Sequence, residues 1–273
     1  MQKIWGRALV AGVVALCALL PAAGREKPDR TDNPNIVDDA WIRPADVLLI
    51  GDSESLGYFG AQLYRSLSTE PDPHSGRPLT VWSFWTCGSD VTTWMRGGVS
   101  YCGIRSCNGA GDCARDHGPL DRPGRVRYLA LGDYVARVKP RITIVSLGSN
   151  MLTARPGAFR AFYDTYLAQA RRLADAIADG HSRCIWIGPP QAALKTKPEA
   201  DYARFVADVG RAVRGEGCAF IDSAPLSDRN FVLRGDPEGI HYQAAGEKDW
   251  ERKVWTVLRP VLLARLTHGL DPP

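Results

Sequence analysis

Short, almost unbroken apolar runs alternate along this chain with longer segments in which apolar residues recur every three or four positions. The short runs are Val47–Ile50, Leu79–Trp85, Ile142–Leu147, Cys184–Ile187 and Ala219–Ile221, each followed within a few residues by Gly, Pro or Asp. Runs this short, stopped this way, predict strands buried on both faces of a parallel sheet. The longer segments predict helices. One stripe is Phe159, Phe162, Tyr166, Ala170, Leu173 and Ile177, with Gly180 as its stop; a second is Tyr202, Phe205, Val206, Val209 and Val213; a third is Trp250, Val254 and Val257. Stripes of helical spacing face a core, so they carry no chemistry here. A further helical pattern, Tyr58–Leu67, follows the first strand directly. Strands alternating with helices predict an α/β fold with a central parallel sheet of about five strands and helices on both faces. In such sheets ligands bind beyond the carboxyl ends of the strands.

Two regions break the alternation. At the start, Lys3 and Arg7 precede an apolar run from Ala8 to Leu20, and Pro21, Ala22, Ala23 and Gly24 lead into the charged Arg25-Glu26-Lys27. A basic start, a short apolar stretch and a small-residue exit predict a secretory signal peptide over residues 1–24. The run is shorter than the ~20 residues that cross a bilayer, so no stable membrane insertion is expected after cleavage. Leu16 stands before Cys17 where a lipoprotein site needs a small residue, which argues against lipidation. Residues 25–41 read as a polar lead-in and residues 42–273 as one domain. The second break is Cys87–Gly124, an insertion rich in Cys and Gly, longer than an ordinary connection and read as irregular.

Composition narrows the class further. Formal net charge is only +4, part of it from Lys3 and Arg7 in the leader, and the basic residues are scattered; a nucleic-acid partner is not expected. Six cysteines remain beyond the leader: Cys87, Cys102, Cys107, Cys113, Cys184 and Cys218. An even number in an exported chain predicts disulfides. Cys102, Cys107 and Cys113 with His117 could instead suggest a metal site, but they lack the C-x-x-C pairs of structural zinc, so no metal is expected. Cys184 opens one proposed strand and Cys218 precedes another; if the strands are neighbours, these two can bridge. The other four would pair within the insertion in one of three ways.

Four segments at strand ends hold small or reactive residues: Gly51-Asp52-Ser53-Glu54-Ser55-Leu56-Gly57, then Cys87-Gly88-Ser89-Asp90-Val91-Thr92-Thr93-Trp94, then Gly148-Ser149-Asn150, and last Asp236-Pro237-Glu238-Gly239-Ile240-His241-Tyr242. A serine at a strand-to-helix turn exposes its hydroxyl and amide beside a helix N-terminus, where developing negative charge is favoured. The same residues also suit a helix cap, and the glycines and asparagine suit turns. His241 gains catalytic meaning from an acid nearby that could orient its ring.

Together, and in this order, the segments resemble the four signature blocks of the SGNH (or GDSL) hydrolase superfamily, across residues 46–246. The resemblance implies a flavodoxin-like three-layer α/β/α sandwich. It implies Ser53 as nucleophile, His241 as base, and the Ser53 amide, Gly88 and Asn150 as the oxyanion hole, with neither cofactor nor metal. Gly188-Pro189-Pro190 after the fourth strand is similar to another frequent feature of the family. Two positions depart from its pattern. Glu54 follows Ser53 where Leu stands in the literal motif, and Glu238 stands three before His241 where Asp is usual. Register favours Glu238 as the acid; Asp236 is its rival, and a Ser53–His241 dyad is a third arrangement.

The implied chemistry is acyl transfer through an acyl-serine, released to water by an esterase or to a sugar hydroxyl by an acyltransferase. Export points to esters of the cell envelope or the environment, in the periplasm or outside the cell. Trp94, Met95, Arg96 and Tyr101 of the insertion are expected in the wall of the site, a mixture suited to an O-acyl, above all O-acetyl, carbohydrate. A secreted lipase or thioesterase, and a silent glycan-binding SGNH domain, are the alternatives. A monomer is expected.

Overall fold

Buried, β-branched runs at the predicted positions form the strands of the computed structural model, which describes residues 42–100, 102–109, 113–116, 126–152, 156–194 and 199–267. Residues 1–24 and 25–41, Tyr101 and His117 lie outside the described residues. The first half holds β1 (Val47–Gly51), a 3₁₀ turn (Ser53–Leu56), α1 (Tyr58–Thr69), β2 (Val81–Thr86), α2 (Val91–Arg96), β3 (Gly98–Ser100), β4 (Ile104–Cys107), β5 (Cys113–Asp116) and β6 (Val126–Tyr128). The second holds α3 (Leu131–Val138), β7 (Ile142–Ser146), α4 (Ser149–Leu152), α5 (Pro156–Asp179), β8 (Arg183–Ile187), α6 (Glu199–Gly215), β9 (Ala219–Ile221) and α7 (Ala244–Thr267).

The main sheet runs β5-β4-β2-β1-β7-β8-β9. Its five predicted strands pair in parallel, whereas β4 and β5 add an antiparallel edge beyond β2. Alternation along each strand fills two cores. Val47 and Leu49 join Phe59 and Leu63 of α1 and Trp250, Val254, Leu258 and Leu262 of α7 on one face. Leu48 and Ile50 join residues of α2, α3, α5 and α6 on the other. This is the three-layer α/β/α sandwich. The parallel part has the flavodoxin-like order 2-1-3-4-5, which puts the topological switch between β1 and β7.

Three expectations need correction. The insertion is not irregular throughout: it supplies α2, and a β4–β5 hairpin that covers the edge of β2. Phe162 is 57% exposed and Val257 41%, so neither faces the core. In α7 the large apolar side chains that are buried are Trp250, Val254, Leu258, Leu262 and Leu266, a spacing of four that passes Val257 by. Trp94, expected in the site wall, is fully buried on α2; its indole N–H donates to Ser89 Oγ at 3.0 Å.

Disulfides join Cys184 to Cys218, across the start of β8 and the residue before β9, and Cys87 to Cys102. Cys107 is also disulfide-bonded, and its backbone lies opposite Cys113 in the β4–β5 register. Among the described residues no helix is long and apolar enough to cross a membrane.

Candidate active site

The first motif segment leaves β1 at Gly51 and turns at once. Asp52 caps the 3₁₀ turn, accepting the Glu54 amide at 3.1 Å. Ser53 is thereby placed at the carboxyl end of β1, beside the switch point. Its hydroxyl oxygen is shielded from solvent and has no hydrogen-bond partner among the described residues. α7 anchors the turn from behind: the Glu247 carboxylate accepts the amides of Tyr58 and Phe59, which open α1. Since α7 follows the His241 loop directly, that contact ties the loop to the element carrying Ser53.

The second and third segments meet beside it. Gly88 stands exposed at φ +72°, a backbone that side chains rarely adopt, and its amide makes no hydrogen bond among the described residues. Ser89 is buried; its hydroxyl donates to the Thr86 carbonyl at 2.8 Å and accepts from Trp94. Asn150, at the start of α4, donates from Nδ2 to the Ser89 carbonyl at 2.7 Å. One hydrogen bond therefore joins the loop after β2 to the loop after β7, across the position of β1.

In the last segment Asp236 organises the backbone. Oδ2 accepts the amides of Ile240 and His241 at 2.8 and 2.9 Å, and Oδ1 accepts that of Glu238 at 3.2 Å. Oδ2 also lies 3.2 Å from His241 Nδ1. Gly239, at φ +70°, allows the loop to pass Ala193 so closely that a Cβ there would sit 2.5 Å from the Ala193 carbonyl oxygen. The Ala193 amide donates to the Gly239 carbonyl, and the Tyr242 hydroxyl donates to Gln191 at 2.6 Å. His241 is held on two sides in consequence.

The structure thus brings Ser53, Gly88, Asn150 and His241 to one end of the sheet, but it ranks the acids differently from the register argument. Glu238 Oε2 lies 3.7 Å from Nδ1, with its side chain 46% exposed. Asp236 is closer and 5% exposed. Burial alone would raise Asp236, yet the amides of His241, Ile240 and Glu238 outweigh it and hold the carboxyl below its ordinary range. Geometry favours Asp236, not Glu238, as the partner of Nδ1. Donor atoms of Asp236, Glu238 and His241 lie within 4.8 Å of one another, close enough to share a cation. The amides and the ring already engage Asp236, so orienting the imidazole accounts for the cluster.

Two acids flank Ser53 without having been singled out for chemistry in the sequence. Burial pushes Asp52 up to about 7, against the Glu54, Gly148 and Ser149 amides that face it. Glu54 is driven well above the usual carboxylate range by burial and then by Asp52, Glu247, Asp236 and Glu238. Its Oε1 is 3.8 Å from His241 Nε2. A charged residue directly after Ser53, where the motif has Leu, was the signal for the second of them.

No protein-family model matches the sequence, and no curated protein sequence does. Solved structures do. A variant of Axe2, an acetyl-xylooligosaccharide esterase from Geobacillus stearothermophilus, is similar at 14% identity and a TM-score of 0.51, over 85% of this chain and 98% of that one. A Bacteroides fragilis protein assigned as an acylhydrolase is similar at 13% identity and a TM-score of 0.50, over 82% and 93% of the two chains. A GDSL-like lipase from Bacteroides thetaiotaomicron is similar at 10% identity and a TM-score of 0.49, over 79% and 88%. The chain has the fold of the SGNH/GDSL hydrolases.

Proposed function

We propose that this chain is an exported serine esterase that removes short O-acyl groups, acetyl foremost, from carbohydrate of the cell envelope or the environment. The observation that carries the reading is the convergence, at the switch point of the sheet, of the Ser53 turn with a histidine whose Nδ1 faces a buried carboxylate. In this reading Asp236 holds the His241 ring with Nδ1 protonated. Nε2 takes the Ser53 proton as Oγ attacks the ester carbonyl and later returns it to the leaving alcohol. The amides of Ser53 and Gly88 and the Asn150 side chain receive the oxyanion. Water, activated by the same imidazole, releases the acyl group. That Ser53 Oγ makes no hydrogen bond among the described residues is compatible with this, because catalytic hydrogen bonds commonly tighten only when substrate binds.

Export is supported by the disulfides, which fit an oxidising compartment, and by the leader-like residues 1–24. For the substrate, Trp94 no longer argues, since it is buried. A cavity of about 460 Å³, lined by Gln191, Ala193, Leu194, Tyr202, Asp222 and Arg229, includes none of the proposed catalytic residues in its wall and carries no argument about the substrate. The similar Axe2 enzyme acts on acetyl-xylooligosaccharides, which agrees with a short acyl group on a sugar.

The test is acetate release from acetylated xylooligosaccharides and from acetylated peptidoglycan, alongside hydrolysis of p-nitrophenyl acetate and octanoate. Ser53→Ala and His241→Ala should each lose most of the rate, on the order of 10⁶ in kcat, and the double variant should be scarcely worse. Full activity in a folded Ser53→Ala protein overturns the assignment. Preference for octanoate overturns the substrate class.

A further inference from the structure

Glu54 follows the nucleophile, and the mechanism above gives it no role. Its side chain is 2% exposed, and neither carboxyl oxygen has a hydrogen-bond partner among the described residues. Burying a carboxyl without partners is costly, and such groups persist where something else needs them. Its Oε1 lies 3.8 Å from His241 Nε2, while Asp236 Oδ2 lies 3.2 Å from Nδ1. The imidazole therefore stands between two carboxyl groups, one for each ring nitrogen.

The groups facing Glu54 come from three directions. Asp52 follows β1, Glu247 opens α7, and Asp236, Glu238, His241 and Tyr242 come from the loop between β9 and α7. Four of these are acids, and His241 alone among them can become a cation. Resting on the esterase reading of Ser53 and His241, we propose that Glu54 is a positioning residue that sets the protonation state of His241. As a neutral acid it leaves Nε2 to Ser53; when its own proton passes to Nε2, the carboxylate left behind locks the ring.

The argument is one of lone pairs. With Asp236 accepting from Nδ1–H, the base can work only through the lone pair on Nε2. A carboxylate at Glu54 favours N–H at Nε2 as well, which makes an imidazolium clamped between two carboxylates, with no lone pair left for Ser53. Passing from the neutral pair to the clamped pair moves one proton from the Glu54 carboxyl to Nε2, and nothing enters from solvent. Burial, and then the acids around it, favour the neutral form of Glu54. When alkali instead removes that proton to solvent, Nε2 keeps its lone pair, and it is the uncompensated Glu54 charge that opposes the developing oxyanion. Two coupled groups of this kind titrate as a pair.

Glu54→Gln keeps the shape and cannot ionise. The experiment follows the His241 ring resonances of the full chain from pH 4 to 11 in wild type and Glu54→Gln, assigned by their loss in His241→Ala. The pH dependence of kcat/KM on p-nitrophenyl acetate is measured in parallel. The wild-type ring signal should move in two steps and the variant's in one. Wild-type kcat/KM should fall at the second step, and that fall should be missing from the variant. Superimposable titrations in the two proteins overturn the proposal. So does a single step in wild type, which decides the matter even if Glu54→Gln fails to fold. Should the chain hydrolyse no ester, the proposed function fails, while the resonances still report whether Glu54 and His241 titrate together.

Discussion

Replacing each of the two acids near His241 Nδ1 by its amide separates them by orders of magnitude in rate. Asp236→Asn preserves shape but removes the charge that would stabilise the imidazolium, and it offers Nδ1–H a weaker acceptor. The oxygen concerned is buried, 3.2 Å from Nδ1, and shared with two backbone amides. Neutralising a triad carboxylate of this kind costs about 10⁴ in kcat. Glu238 is almost half exposed and 3.7 Å away, the geometry of a surface ion pair worth about 0–1 kcal/mol. At about 1.4 kcal/mol per decade, Glu238→Gln should cost no more than about fivefold. Both variants are compared with wild type by kcat on p-nitrophenyl acetate, with circular dichroism to verify the fold. Because Asp236 also holds three amides, its variant is expected to melt lower as well; the comparison is therefore made well below either melting temperature. A large loss from Glu238→Gln with a mild one from Asp236→Asn would refute the geometric assignment and restore the register argument. Two mild losses would leave a Ser53–His241 dyad.

Asn150→Ala should lower kcat by about 10²–10³ with little change in KM, as loss of one oxyanion donor does; an unchanged kcat would remove Asn150 from the oxyanion hole. Cys184 and Cys218 are separated by 34 residues, so Cys184→Ala/Cys218→Ala should lose about 3–4 kcal/mol in denaturant unfolding, and alkylation mass spectrometry should find both wild-type thiols blocked. Asp52, raised to about 7 from an ordinary 3.8, holds its proton more tightly folded than unfolded, so its contribution to stability falls as pH rises between those values. Asp52→Asn removes that slope, so its stability relative to wild type should rise by up to about 4 kcal/mol between pH 4 and 7.5; a difference independent of pH would contradict the burial argument.

The parallel strands were legible because they are buried on both faces, which leaves short continuous apolar runs closed by Gly, Pro or Asp. The Cys184–Cys218 bridge followed from the same runs, since both cysteines sit at the start of neighbouring strands. Exposed aromatics defeated the pattern elsewhere. Phe162 fits its helical stripe by spacing, but spacing does not say how far around the helix the core extends. Val257 failed because the buried stripe of α7 advances by fours, so Leu258 is chosen over its neighbour. The β4–β5 hairpin was hidden by glycines and cysteines, in strands too short to show alternation. Asp236 was ranked behind Glu238 for a different reason: block register counts positions, whereas the loop turns on a side chain that reaches its own backbone. The order Asp236-Pro237-Glu238-Gly239 carried a signal for this, with Asp, Pro and Gly at the first, second and fourth positions of a type I turn.

Around Ser53 the local rules of folding are broken in one place. Both oxygens of Glu54 and the Ser53 hydroxyl are buried without hydrogen-bond partners among the described residues, at adjacent positions beside the buried Asp52. A turn selected for stability alone would have no reason to hold two carboxyls there, because each resists ionisation and charged neighbours add to the cost. The surrounding structure has the means to hold such a turn. β1 is central in the sheet with every residue buried, and Glu247 fixes α1 from the far side. A segment this strained electrostatically and this firmly clamped mechanically is what a preorganised site requires, since groups kept poised against their own preference need not reorganise when charge develops.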